Sequence, residues 1–183
     1  SVNVKVSSGS VVAIGGSVSG SSYGISATTT VNGGTLNAIG GKASTNSYGI
    51  NGRTTANGGT LNAIGGVAAD TSYGIYCESI LGVSVANEAK VAAVGRTYGL
   101  RTTSGTLAGG NFAGGSKAVS ISDNTSNVNA LLATGYGYFA GETQLIPADS
   151  DATVGEANQT VTVKEAPIPH KHCLCGGTGA AGD

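Results

Sequence analysis

The chain carries little charge. Asp, Glu, Lys and Arg make up 10% of its 183 residues, and the formal net charge is −1. Its lysines and arginines are scattered singly along the sequence, whereas a nucleic-acid-binding surface needs them clustered on one face. We therefore expect no nucleic-acid partner.

Long apolar runs, methionine and tryptophan are absent, and cysteine is rare. No apolar stretch is long enough to span a membrane. The three cysteines, Cys77, Cys173 and Cys175, do not make a disulfide framework. Because the sequence shows neither an initiator methionine nor a signal peptide, we expect a mature or excised fragment of a longer secreted chain.

What the sequence has instead is a repeat. Residues 30–41, Thr-Val-Asn-Gly-Gly-Thr-Leu-Asn-Ala-Ile-Gly-Gly, recur at 55–66 with a single change, and each copy leads to Ser-Tyr-Gly-Ile. Four tyrosines, each 25 residues from the next, mark the period: Tyr23, Tyr48, Tyr73 and Tyr98. A fixed period of about 20–50 residues indicates a solenoid or a similar array.

Residues within one repeat alternate as in a β-strand. Small or β-branched residues occupy every second position of 25–31, and Leu36 and Ala38 continue the pattern after an Asn-Gly-Gly turn. We therefore predict two short strands per repeat, each pairing in parallel with its copy about 4.8 Å away. The inward positions should stack as aliphatic ladders: Val11, Leu36, Leu61 and Val91; Ala13, Ala38, Ala63 and Ala93; Ile25, Ile50, Ile75 and Leu100.

The chain divides into one domain and a tail. Residues 1–166 should form about five to six rungs, and the repeat decays from about 101 into an atypical C-terminal cap that ends with a strand at 159–164. Residues 167–183 are predicted to be a flexible tail or the truncated start of a further module. An insertion of about five residues, at 81–86, is expected to bulge from the fourth repeat. Asn87 and Glu88 in that bulge are candidate ligand contacts, with a solvated loop as the alternative.

The repeat motif resembles that of a known family. Gly-Gly-Thr-Leu-Asn-Ala-Ile-Gly-Gly followed by Ser-Tyr-Gly-Ile is similar to repeats of large secreted or surface-anchored proteins of Gram-positive anaerobes, and so is His-Lys-His-Cys-Leu-Cys-Gly-Gly at 170–177. The resemblance covers roughly 1–139 and 167–183. It implies a single-stranded right-handed parallel β-helix, or β-solenoid, on a bacterial surface or outside the cell, with carbohydrate binding described for some related chains. It transfers no catalytic residue.

The tyrosine column has two interpretations. Tyr23, Tyr48, Tyr73 and Tyr98 stand one rung apart, so they would form an exposed aromatic strip for sugar rings if they pointed outward. Because they share parity with the inward Ile25, they would otherwise point inward and stack at a corner, each pair adding about 0.5–1.5 kcal/mol.

The tail contains potential metal ligands. His170, His172, Cys173 and Cys175 are residue types that bind zinc. Ligands so close in sequence diverge too much to close a tetrahedron alone, so a zinc site would need further ligands from downstream. A Cys173–Cys175 redox pair and a plain flexible tail are the alternatives. The solenoid itself is expected to require no cofactor.

The regular repeats contain few acids: Asp70, Glu78 and Glu88. Glycosidases need two carboxylates about 5 Å or about 6.5–9.5 Å apart, and the repeats offer no such pair. We therefore expect no enzyme, and interpret the chain as a non-catalytic extracellular surface adhesin or spacer. Glycans or a host or cell-wall surface are the candidate partners, together with self-association through the end rungs. The alternatives are a polysaccharide-degrading β-helical enzyme and a purely structural filament subunit.

Overall fold

The computed structural model describes residues 3–78, 82–122 and 127–167. Regular structure in these ranges consists of β-strands and one short 3-10 helix. No helix within them is long and apolar enough to cross a bilayer. The predicted all-β class is confirmed.

Each rung of the fold contains three strands. The first two rungs contain β1 (Asn3–Val6), β2 (Ser10–Ile14), β3 (Ser22–Ser26), β4 (Thr28–Val31), β5 (Thr35–Ile39) and β6 (Asn46–Asn51). The next two contain β7 (Thr54–Ala56), β8 (Thr60–Ile64), β9 (Thr71–Cys77), β10 (Val83–Val85), β11 (Lys90–Gly95) and β12 (Tyr98–Thr102). The last contains β13 (Gly105–Leu107), β14 (Asn111–Gly114) and β15 (Lys117–Ile121). The chain closes with a 3-10 helix (Val128–Leu131), β16 (Tyr136–Ala140), β17 (Thr143–Leu145), β18 (Thr153–Val154) and β19 (Thr160–Glu165).

Corresponding strands of successive rungs stack into three parallel sheets. Sheet A contains β1, β4, β7, β10 and β13, and sheet C contains β3, β6, β9, β12 and β15, followed by β18. Sheet B contains β2, β5, β8, β11 and β14 and continues into β19, β16 and β17. Leu36 pairs with Leu61 and Tyr48 with Tyr73, which gives the 25-residue step. The fold is therefore a β-solenoid, as predicted, and it has about four turns, whereas five to six rungs were expected.

The number of strands per rung differs from the prediction. The strand predicted to run through 25–31 ends at Ser26, and a new strand begins at Thr28, where the chain passes from sheet C into sheet A. Ile25 and Val31 are nevertheless both buried, so the alternation of inward residues continues across the bend. For that reason two strands read as one in the sequence.

The predicted aliphatic ladders fill the interior. Leu36, Leu61 and Val91 are at most 2% exposed. Their counterpart Val11 is 39% exposed, because β2 is an edge strand of sheet B in the described structure. Val6 and Ile25, in the edge strands β1 and β3, are nevertheless buried, so exposure of the inward row at this edge is confined to sheet B.

The insertion in the fourth rung lies earlier than predicted. Thr54 pairs with Val83 and Thr60 with Lys90, so four extra residues precede Val83 and one more falls between β10 and β11. Val83 was expected to lie in the bulge, but it is fully buried in β10. The prediction was wrong because Val-Ser-Val replaces the Thr-Thr-Ala of the preceding rung inside the core.

The C-terminal cap reverses the direction of pairing. β19 pairs antiparallel with both β14 and β16, which confirms the predicted closing strand. Phe112 of β14 and Tyr138 of β16 are fully buried, and the Tyr138 hydroxyl donates to the carbonyl of Val128 at 2.7 Å. Burial raises the pKa of the Tyr138 hydroxyl far above its ordinary value. The division between a domain at 1–166 and a tail stays a prediction.

Candidate functional site

The four repeat tyrosines form a stack on the outside of sheet C. The ring centroids of successive tyrosines are 5.1, 5.2 and 5.6 Å apart, and their planes differ by at most 10°. Tyr76 packs against two of these rings, and the Arg101 guanidinium lies 5.6 Å from the centroid of the Tyr98 ring. Tyr76 and Arg101 each directly follow an inward core residue, Ile75 or Leu100. The stack therefore lies on the outer face.

The glycine after each tyrosine explains this orientation. A Cβ on Gly49 would lie 2.5 Å from the backbone nitrogen of Ile64 and 2.6 Å from the carbonyl oxygen of Gly74. Gly49 therefore faces inward against sheet B, and the next residue, Ile50, is also buried in the core. The alternation is broken at this point, so Tyr48 faces outward although its parity with Ile50 suggests the opposite.

The serine before each tyrosine ties successive rungs together. The Ser47 hydroxyl donates to the carbonyl of Gly41 in its own rung at 2.8 Å and accepts from the backbone N–H of Gly66 in the next rung at 2.8 Å. Ser22 makes the corresponding pair of bonds one rung earlier. Because Ser47 is fully buried, these bonds pair a hydroxyl that water does not reach. Folding requirements thus account for the whole Ser-Tyr-Gly-Ile motif.

The tyrosine stack presents little ring face to a ligand. Tyr48 and Tyr73 each lie between two other rings of the stack and are 8% and 6% exposed. Burial, followed by the neighbouring Tyr73 and Tyr23, raises the pKa of Tyr48 to about 12. A sugar ring would need an open aromatic face, and Tyr23 at the end of the stack is 37% exposed. The geometry favours a stabilising role for the stack, and ligand binding by the four tyrosines stays a prediction.

A groove of about 580 Å³ crosses the outer face of sheet B. Small residues form its floor, among them Ala92, Gly109 and Gly110, and side-chain amides stand around them. These amides belong to Asn62, Asn87 and Asn111. The groove exists because Ala92 occupies the position between Asn62 and Asn111 in one outward-facing row of the sheet.

Side chains of that row form a hydrogen-bonded ladder along the solenoid axis. The Asn62 Nδ2 donates to Asn37 Oδ1 at 2.7 Å, and the Thr162 hydroxyl donates to Asn111 Oδ1 at 2.7 Å. Ala92 stands between these two pairs and carries no polar side-chain atom. The ladder is therefore interrupted at the floor of the groove.

The groove carries little net charge. Lys90 is exposed at its edge. Lys164 also lines the groove, but its ammonium lies 3.1 Å from the Glu142 carboxylate and 4.6 Å from the centroid of the Phe139 ring. Glu165 supplies the carboxylate among the described lining residues. Amides, hydroxyls and small apolar residues thus dominate a site suited to a polar ligand of low charge.

One of the two predicted loop residues reaches this groove. Asn87 lines it, whereas Glu88 is an exposed neighbour in the same turn. Sequence reasoning missed the contribution of Asn62, Ala92 and Asn111. Their common row was hidden because Asn62 pairs with Ala92 across a 30-residue step and Ala92 with Asn111 across a 19-residue step, and neither step matches the 25-residue period.

The predicted metal ligands, His170, His172, Cys173 and Cys175, lie outside the described residues. Within 3–78, 82–122 and 127–167, no group of three or more His, Cys, Asp or Glu side chains is placed to hold a metal ion. Cys77 is buried in the core. Zinc binding by the tail, with downstream ligands, stays a prediction.

Neither a family model nor a curated protein nor a solved structure matches this chain.

Proposed function

We propose that the chain is a non-catalytic glycan-binding module. The observation that carries the proposal is the groove on sheet B, where three asparagine side chains surround a floor of alanine and glycine. Amide groups donate and accept hydrogen bonds at once, which suits the hydroxyl-rich faces of sugars. The small floor residues leave space for a ring to lie against the sheet.

The charges in the groove support binding without hydrolysis. Glycoside hydrolysis needs two carboxylates placed on either side of the scissile bond. Among the described residues that line the groove, Glu165 alone has a carboxylate, and the ammonium groups belong to Lys90 and Lys164. A polysaccharide-degrading enzyme is therefore the weaker alternative.

The solenoid architecture supports a role as a surface adhesin or spacer. Rungs about 4.8 Å apart, held by hydrogen bonds in three sheets, make a stiff body that presents the groove along its side. We propose an extracellular or cell-surface location, with a host or cell-wall glycan as the partner. The filament alternative needs open end rungs, and the antiparallel strands of the cap cover the last one, so end-to-end self-association is the weaker proposal.

The test is a glycan array probed with the intact chain, followed by calorimetric titration of the glycans that bind. Asn111→Ala removes one groove amide and should weaken binding. Asn32→Ala is a matched control, because Asn32 is also exposed and its Oδ1 also accepts one side-chain hydrogen bond, from Asn57 at 2.9 Å, yet it lies outside the groove. If the two substitutions changed the affinity for glycan equally, the groove would not be the binding site.

The same samples separate binding from catalysis. Bound glycan recovered intact after long incubation supports a binding module. Newly formed reducing or unsaturated ends would identify an enzyme, and elongation with concentration in light scattering would identify a filament subunit. Absence of binding to every glycan on the array would contradict the proposed function itself.

A further inference from the structure

The directions of the hydrogen bonds on the two sides of Ala92 determine which donor and acceptor groups a ligand would need to complete the ladder. Asn62 uses its Nδ2 as a donor toward Asn37, and Asn111 uses its Oδ1 as an acceptor from Thr162. Among the described residues, no hydrogen bond reaches Asn62 Oδ1 or leaves Asn111 Nδ2. A free acceptor and a free donor therefore stand on the two sides of Ala92.

The gap between these two groups has the size of one amide. Asn62, Ala92 and Asn111 lie on three consecutive strands of sheet B, so each amide is one strand spacing of about 4.8 Å from the position above Ala92. Stacked asparagines repeat at this same spacing in hydrogen-bonded ladders. A hydroxyl group would bridge the gap poorly, because one oxygen atom cannot reach both partners at once.

We infer that the groove binds a glycan that carries acetamido groups, with one acetamido group above Ala92; this inference rests on the proposed glycan-binding function. A trans secondary amide directs its N–H and C=O in opposite directions. Its N–H would donate to Asn62 Oδ1, and its carbonyl would accept from Asn111 Nδ2. The ligand would thus restore the ladder that Ala92 interrupts.

The floor of the groove fits the rest of the group. The methyl of an acetamido group needs an apolar surface beside its amide, and Ala92, Ala108 and Gly109 provide one. The sugar ring that bears the amide would extend over the adjoining floor toward Asn87, which lines the same groove. N-acetylated amino sugars are therefore the ligand class, in preference to plain glucose or galactose polymers.

The decisive variant is Ala92→Asn, which fills the gap with the protein's own amide. The ladder becomes continuous, so this protein should fold at least as stably as the parent. Its affinity for a β-linked N-acetylglucosamine tetramer should fall at least about tenfold, since two hydrogen bonds to the ligand are lost. Val12→Asn is the control, because Val12 pairs with Asn37 at the far end of the same row, so it adds an amide without entering the groove. The control should bind like the parent.

Titrating three probes against each variant separates the inference from the function that it rests on. We expect the N-acetylglucosamine tetramer to bind at least about tenfold more tightly than the glucose tetramer of the same linkage. Equal affinity for the two tetramers, unaffected by Ala92→Asn, would overturn the acetamido inference and leave glycan binding intact. The assignment to sugars would be overturned if a tetra-alanine peptide bound as tightly as the N-acetylglucosamine tetramer and Ala92→Asn weakened the binding of both equally. Failure of every glycan to bind would instead overturn the proposed function.

Discussion

Substitution of Gly49 by alanine tests how the tyrosine motif is built. The new Cβ would lie 2.5 Å from the Ile64 nitrogen and 2.6 Å from the Gly74 oxygen, whereas ordinary contacts begin at 3.4 Å. Ile64 lies in sheet B, and Gly74 lies in the strand of sheet C that pairs with β6. Sheet B would therefore have to move away by roughly 1 Å, and the pairing of β6 with β9 would have to shift as well. Overpacking costs about 1–3 kcal/mol and sometimes more, and we expect the free energy of unfolding to fall by about 3 kcal/mol.

Gly16→Ala provides the matched control, because a Cβ there meets no atom within 4 Å and the backbone of Gly16 is not left-handed. It should be neutral or add about 0.4–1 kcal/mol by restricting the unfolded chain. Urea unfolding followed by circular dichroism measures both variants. If Gly49→Ala and Gly16→Ala agree within about 0.5 kcal/mol, Gly49 does not pack against sheet B, and the reason given for the outward tyrosines fails.

Two further predictions concern the core and the tyrosine stack. Leu61→Ala should lower the free energy of unfolding by about 2–5 kcal/mol, because Leu61 is 1% exposed, while Thr60→Ala on the outer face should cost less than about 1 kcal/mol; similar losses in urea titrations would show that the inward and outward rows are misassigned. The pKa of Tyr48 is raised by burial from 10.0 to about 12, so its contribution to stability is complete below pH 10 and is lost as the pH rises toward 12. Thermal melting between pH 9 and pH 12 should therefore show a smaller decline for Tyr48→Phe than for the parent chain, and parallel declines would contradict the assigned cause.

The fold was largely predictable because each rung repeats the chemistry of its neighbour. The period of Tyr23, Tyr48 and Tyr73 and the ladder of Leu36 and Leu61 determined the stacking, and the structure confirms it. What failed depended on local backbone geometry. Where a glycine packs against another sheet, two consecutive residues face inward, and the residue before the glycine faces outward. Alternation in the sequence does not reveal this break.

The groove was less predictable for a related reason. Asn87 was recognised from its loop, but the row of Asn62, Ala92 and Asn111 appears only when strands of unequal spacing are aligned. Insertions before Val83 and the shorter fifth rung shift the numbering without disturbing hydrogen bonding between strands. Predicting a site made from separate rungs therefore requires the pairing register of the strands, and that register became known only from the structure.

The antiparallel cap has a mechanical consequence for the solenoid. β19 pairs with β14 of the last rung and with β16, so strands hold this rung on both sides. Under tension, rungs remote from the cap should detach before the rungs that β19 and β16 cover. Each detached rung of 25 residues would release roughly 80–90 Å of extended chain. The solenoid would thus lengthen in steps while the groove, formed by the last rungs and the cap, stays assembled longest.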